Sequence, residues 1–222
     1  MRIYFFFFTV LCAFLGASQE LPPVINYSAT TYDAGNQNWM LAQAENKNFY
    51  IANGTGLLEY NGADWSLYPV LNNTIVRSVK TKGDKIFTGA YMEVGFWKEN
   101  EFGTLDYTSL VDKFPQKMTD GEQFWHIENS DEMMIFQSFE KLYLYNLSTQ
   151  KISTVDTPES APIMNLFKVE ENIYYQQESV GVFLIKNGRP EQLIPKRQKL
   201  KGSRMDFICL EQTGARKTSN FM

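Results

Sequence analysis

The chain has 222 residues, 44% hydrophobic and 21% charged, with a net charge of −4. This is an ordinary globular composition of one- or two-domain length, with no basic footprint for nucleic acid or an anionic membrane surface. Aromatics reach 15%, including 17 Phe and 12 Tyr, which favours strands, because such side chains fit a half-buried pleated surface.

The first segment reads as an export signal. Met1 and Arg2 are a short positive region, Ile3 to Leu15 an apolar one, and Gly16, Ala17 and Ser18 are small, as a signal peptidase requires. The apolar run is too short for a membrane anchor, which needs roughly 20 residues. Residues 1–18 are therefore expected to be removed, with no membrane span in the remainder. Cys12 lies inside this segment, so the mature chain keeps only Cys209 and cannot form an internal disulfide. Export without disulfides fits a bacterial envelope protein, periplasmic or extracellular, better than a small secreted eukaryotic module. Sequons begin at Asn26, Asn53, Asn72 and Asn146, and mean little in a bacterium.

From Trp39 onward a unit of four short apolar runs recurs. The first holds Trp39–Ala44, Phe49–Ala52, Leu57–Tyr60 and Trp65–Tyr68; the second Val76–Lys80, Lys85–Gly89, Val94–Trp97 and Leu105–Thr108. A third holds Phe124–Glu128, Met133–Gln137, Lys141–Tyr145 and Lys151–Val155; a fourth Ile163–Val169, Asn172–Gln176, Val182–Ile185 and Pro190–Ile194. Tyr60, Trp97, Tyr145 and Ile185 are equivalent, at separations of 37, 48 and 40 residues. Four strands about every 40 residues is the mark of β-propeller blades. The turns agree: Asn61-Gly62 and Lys186-Asn187-Gly188 join third to fourth strands, and Asn-Gly tolerates the positive φ of tight hairpins. Helical periodicity is nearly absent. A sandwich or barrel would show similar strands without the recurring quartet.

The stretch "IANGTGLLEYNGADWSLYP" resembles the two-component-regulator propeller repeat at Ile51, Gly54, Thr55, Gly56, Leu57, Tyr60, Trp65 and Tyr68. Thr88-Gly89, Val94-Gly95-Phe96-Trp97 and Gly181-Val182-Phe183 follow it loosely, and the third unit lacks the Gly. The segment "LPPVINYSATTYDAGNQNW" resembles the start of Bacteroidetes envelope regulators, hybrid histidine kinases or triple-tyrosine/LuxR-type proteins. The resemblance covers roughly residues 36–210. It implies an all-β propeller that senses ligands outside the cytoplasm, often glycans. Such propellers usually have about seven blades. Here four complete blades are expected (about 38–70, 75–110, 122–157 and 162–195), a partial fifth at 203–210, and a tail at 211–222 foreign to the family. The chain reads as a truncated copy of a longer sensor. The alternative is a closed four-bladed propeller, with Ile25–Tyr32 supplying a closing strand.

In up-down blades the second-to-third turn shares a rim with the connection into the next blade. That rim carries Asn53-Gly54-Thr55, Tyr91-Met92-Glu93, Ser138-Phe139-Glu140 and Gln177-Glu178-Ser179, joined by Asn72-Asn73-Thr74, Gln123-Phe124-Trp125 and Ala161-Pro162. Aromatics beside amides and carboxylates suit sugars, since a ring covers the apolar face of a pyranose and polar groups hold its edges. The ligand candidates are Asn53, Thr55, Asn73, Tyr91, Glu93, Trp125, Glu140, Gln177 and Glu178. Trp39, Trp65 and Trp97 are assigned to packing, and Gly54 and Gly56 to turn geometry. No cofactor or metal is expected: Cys/His spacing for zinc, an EF-hand and a Gly-rich phosphate loop are all missing. His126, the single histidine, lies on an inner strand without a nucleophile to activate. By spacing, Glu93, Glu140 and Glu178 are expected to recur at one rim position, which keeps a glycan-active enzyme as an alternative to a non-catalytic sensor. A scaffold for other envelope proteins is the third reading.

Overall fold

The computed structural model describes residues 22–195 except residue 159. The signal segment, Cys12, Cys209, the partial blade at 203–210 and the tail at 211–222 lie outside the described residues. The order opens with a short helix α1 (Ala29–Tyr32), followed by strands alone apart from a 3-10 turn at Val111–Lys113. The first sheet holds β1 (Asn38–Gln43), β2 (Phe49–Asn53), β3 (Gly56–Tyr60) and β4 (Trp65–Tyr68). The second holds β5 (Val76–Lys82), β6 (Lys85–Ala90), β7 (Val94–Glu99) and β8 (Leu105–Ser109). The third holds β9 (His126–Asn129), β10 (Met133–Gln137), β11 (Leu142–Asn146) and β12 (Ile152–Thr154). The fourth holds β13 (Ile163–Val169), β14 (Asn172–Gln177), β15 (Gly181–Lys186) and β16 (Arg189–Pro195).

Each sheet is an antiparallel meander in chain order. First strands of successive sheets are neighbours, β1 beside β5, β5 beside β9 and β9 beside β13, so the sheets fan as propeller blades. The four quartets of strands read from the sequence are present, with some strand ends shifted by one or two residues; the third sheet's inner strand, expected at Phe124–Glu128, runs His126–Asn129.

Period-two alternation explains the packing, because successive residues of a strand face opposite sides of the sheet. In β2, Tyr50 and Ala52 pack against the second sheet with Ile86 and Trp97. In β6, Ile86 joins that layer while Phe87 turns to the third sheet, meeting Phe124, Ile127 and Phe136. In β10, Met134 and Phe136 face the second sheet and Ile135 faces the fourth, with Leu166, Tyr175 and Phe183. Middle strands buried on both faces therefore read as near-continuous apolar runs.

Gly56 and Gly181 open the third strands of the first and fourth sheets with φ of +152° and +149°. A Cβ would stand 2.5 Å from Tyr68 O at Gly56, and would overlap Ile194 O at Gly181. The third strand begins against the outer strand's backbone, and only glycine allows both that approach and that φ. Gly54, by contrast, has room for a side chain, so of the two glycines assigned to turn geometry only Gly56 is required there.

The segment before β1 does not close a ring. Ile25–Tyr32 forms no strand. Tyr32 with Ala29 and Ala34 instead covers Ile51 and Leu58 on the outer face of the first sheet. The closing-strand alternative fails because these residues bury side chains rather than pairing backbone.

Candidate functional site

The inner strands share one irregularity at the predicted rim. Register slips between Asn38 and Met40 in β1, between Val76 and Ser78 in β5, and between Ile163 and Asn165 in β13. The skipped residues are Trp39, Arg77 and Met164. A bulge leaves one residue unpaired and re-aims its side chain. In the third sheet Trp125 holds the same end, its N–H donating to Gln137 O at 2.9 Å just ahead of β9.

These side chains meet. The Arg77 guanidinium lies 4.2 Å from the ring centroid of Trp39 and 4.5 Å from that of Trp125. The two indoles are 6.1 Å apart and nearly perpendicular, at 79°. Trp125 stacks on Phe139 at 5.3 Å. Arg77 Nε donates to Gln123 Oε1 at 2.9 Å, and Gln123 is bridged to Tyr91 through the backbone. Trp39 is 42% exposed, Phe139 41% and Tyr91 43%. The assignment of Trp39 to packing is therefore corrected: the bulge turns it out of the sheet and against Arg77. Trp97, 3% exposed, and Trp65, stacked on Tyr60, do pack as expected.

Further along the same strands, Lys80 Nζ lies 2.7 Å from Glu128 Oε2 and His126 Nε2 lies 3.4 Å from Glu128 Oε1. Burial works against the Glu128 charge, but the hydrogen bonds and charges of His126 and Lys80 outweigh it and hold the carboxyl below its ordinary value. His126 thus sits in an ion-pair cluster with no nucleophile bonded to it.

The other predicted site residues divide. Asn53 is fully buried: its Nδ2 donates to Gly35 O at 2.6 Å and Asn38 Oδ1 at 2.7 Å, and its Oδ1 accepts from Thr55 N and Oγ1. Gln177 is also buried, donating to Ala161 O at 2.9 Å. Both amides knit rim turns to the preceding segment, which removes them from the ligand surface, because their polar atoms point inward. Thr55 is exposed but bonded to Asn53 and Gly35. Asn73, at φ +50°, Glu140 and Glu178 are exposed.

The three glutamates are not equivalent. The second sheet's turn closes from Ala90 N to Glu93 O and the third sheet's from Ser138 N to Lys141 O, so Glu93 matches Lys141 and Glu140 matches Met92. Met92 and Ser179 share positive φ, which aligns Glu178 with Tyr91. Glu93 is 7% exposed and accepts from Tyr107 Oη at 3.0 Å and Ser109 Oγ at 2.7 Å. Glu122, which sequence reasoning missed, is built alike: it accepts from Ser138 Oγ at 2.6 Å and Tyr143 Oη at 2.9 Å. Burial first, then the adjacent carboxylate charge, pushes the Tyr107 and Tyr143 hydroxyls far above their ordinary value. These carboxylates accept hydrogen bonds from buried donors.

Arg77 is the main residue missed. Its signal was available: it is the sole arginine between Arg2 and Arg189. On the same rim a recess of about 70 Å³ is lined by Asp120, Trp125, Phe139 and Glu140, and a cavity of about 520 Å³ by Phe139, Glu140, Asp156 and Ala161. The opposite rim has clefts of about 290 Å³ at Tyr50 and Lys98 and about 330 Å³ at Ile135 and Ile173. Among the described residues no cluster of His, Cys, Asp or Glu could hold a metal, and no helix is long and apolar enough to cross a membrane.

No family model matches the chain, and no curated protein matches it. Solved structures do. The extracellular domain of BT4673 from B. thetaiotaomicron, assigned to a hybrid two-component system, is 17% identical with a TM-score of 0.55, over 78% of this chain and 23% of that one. The extracellular domain of BT3049 from the same organism, likewise assigned, is 16% identical with a TM-score of 0.54, again over 78% and 23%. An ancestral GH74 enzyme is 17% identical with a TM-score of 0.55, over 72% and 24%. The chain thus spans less than a quarter of the length of these neighbours, and the likeness is one of fold.

Proposed function

We propose that these blades are the ligand-sensing part of an exported envelope signalling regulator, that the ligand is an oligosaccharide, and that the module is non-catalytic. The observation that carries this reading is the rim cluster: bulges turn Trp39 and Arg77 out of their strands to meet Trp125 and Phe139, leaving aromatic surface exposed at the inner strand ends. An exposed ring beside polar groups is what a pyranose requires. The export signal read at residues 1–18 and the extracellular character of two structural neighbours support the location. The internal bonding of Glu93 supports binding over hydrolysis.

The test is a thermal-shift and tryptophan-fluorescence screen of the full chain against plant, algal and host oligosaccharides. At least one is expected to raise the melting temperature, and Trp125→Ala to abolish that shift. No shift with any oligosaccharide, alongside pull-down of a stable envelope protein, would turn the reading to a scaffold. Turnover of a polysaccharide, lost in Glu93→Gln or Glu140→Gln, would turn it to an enzyme.

A further inference from the structure

Among the described residues no carboxylate pairs with Arg77. One edge of its guanidinium is engaged, Nε donating to Gln123 Oε1 at 2.9 Å. The terminal N–H groups have no acceptor among the described residues. The nearby cation on the same strand is neutralised, Lys80 by Glu128 at 2.7 Å. Arg77 is also partly withdrawn from water by the indoles at 4.2 and 4.5 Å, and this burial lowers its pKa. A guanidinium stripped of part of its hydration, fixed by two rings and one amide, with its fork open, is preorganised for a planar anion. A purely packing role does not require that the fork of a guanidinium lack an acceptor among the described residues in a chain of net charge −4.

We infer that the ligand is an acidic oligosaccharide and that Arg77 reads its anionic group, a hexuronate carboxylate, through the two terminal guanidinium nitrogens. This rests on the reading of the rim as a sugar-binding surface. The geometry assigns the remaining parts of such a sugar. Its apolar face has the exposed surface of Trp39 or Phe139 to rest on. Its hydroxyls have acceptors in Asp120 and Glu140, which line the recess beside Trp125 and Phe139. Carboxylates there suit hydroxyl donors, whereas an anion is favoured only at Arg77, so the cluster also sets the orientation of the ring. Sulfate esters offer related anionic oxygens, and the experiment separates the two sources.

The full chain is titrated calorimetrically with short galacturonic acid oligosaccharides, the same oligosaccharides with carboxylates reduced to alcohols, and sulfated galactan fragments. The uronates are expected to bind at least about tenfold more tightly than their reduced forms, the size expected for one charge-assisted hydrogen-bonded pair, and to weaken as salt is raised. Arg77→Lys keeps the charge and loses the fork; it should lose most of that preference. Arg77→Met keeps the packing stem and should lose all of it, with an unchanged circular dichroism spectrum. Tighter binding of the sulfated fragments would keep the anion at Arg77 and move its source to sulfate. Reduced, neutral oligosaccharides binding the wild type as tightly as the uronates do, or uronates binding Arg77→Met as tightly as the wild type, would overturn this inference and leave the proposed function standing. No binding by acidic or neutral sugars would overturn both.

Discussion

The outer face of the first sheet and the outer face of the fourth are built from similar residues and end differently. On the first, Leu41, Ile51, Leu58 and Leu67 lie in one cross-strand row. The segment through α1 covers the middle of it, so Ile51 is 7% exposed and Leu58 fully buried. Tyr27, Tyr60 and Trp65 seal the neighbouring row, with Tyr27 5.3 Å from both and its hydroxyl 2.8 Å from that of Tyr60. On the fourth sheet, Phe167, Tyr174 and Leu184 form the comparable row. Phe167 and Tyr174 stack at 5.5 Å, yet none of the three is buried, and Met164, Val169 and Leu193 are 44–47% exposed. The lesson is that a blade cannot bury two faces by itself. Alternation makes both faces apolar, and burial is decided by what is laid against each.

The comparison is most strongly tested by paired truncations. Leu58→Ala should cost about 2–5 kcal/mol in chemical denaturation, the usual range for a fully buried leucine, whereas Leu184→Ala should cost less than about 1.5 kcal/mol because Leu184 is only partly buried. Equal costs would break the comparison.

Alkaline titration sharpens it. Burial, with the Glu59 charge adding, raises Tyr50 to about 12, and burial raises Tyr175 to about 12, from an ordinary 10.0. Both folded values exceed the unfolded one, so the stability these phenols contribute is intact below pH 10 and is lost as pH rises through 12. These interface tyrosines should ionise late in an ultraviolet titration, together with unfolding. Early ionisation of either would show that the layers between sheets are open.

The smallest effect is expected at the cover. Tyr27→Phe removes the 2.8 Å hydroxyl contact to Tyr60 but keeps the ring. Since Tyr27 is 40% exposed, the loss should be about 0.5–1 kcal/mol in the same denaturation assay. A loss several times larger would mean that the hydroxyl pair, not ring burial, holds the segment down.

The strands were legible because three local signals coincide in each unit: apolar runs of strand length, Gly or Asn at the hairpins, and a repeat near 40 residues. Gly56 was legible for the same reason, since its backbone conformation excludes other residues. The candidate site was legible only in part. Counting turns places Trp125 and Tyr91 on one rim, and the structure puts them there, with Gln123 bridged to Tyr91. The orientations of Trp39, expected to pack, and of Arg77 are not legible, because a bulge changes which way one side chain points without marking the sequence around it. Counting also misaligned Glu93, Glu140 and Glu178: Glu93 and Glu140 take different positions in turns of equal length, and the fourth sheet's turn is one residue shorter. Asn53 and Gln177 were expected to face a ligand, yet they face inward, because an amide at a strand end finds backbone partners in the adjoining segment before it meets solvent.

The amino-acid sequence by itself determined four quartets of antiparallel strands and the rim on which their turns collect, because strand period and turn chemistry act over a few residues. Only the tertiary structure decided which apolar face is covered, which glutamate is buried under a tyrosine, and that Arg77 lies between Trp39 and Trp125. Those contacts join residues from 14 positions apart (Glu93 and Tyr107) to 48 positions apart (Arg77 and Trp125) in the chain, where no local rule reaches.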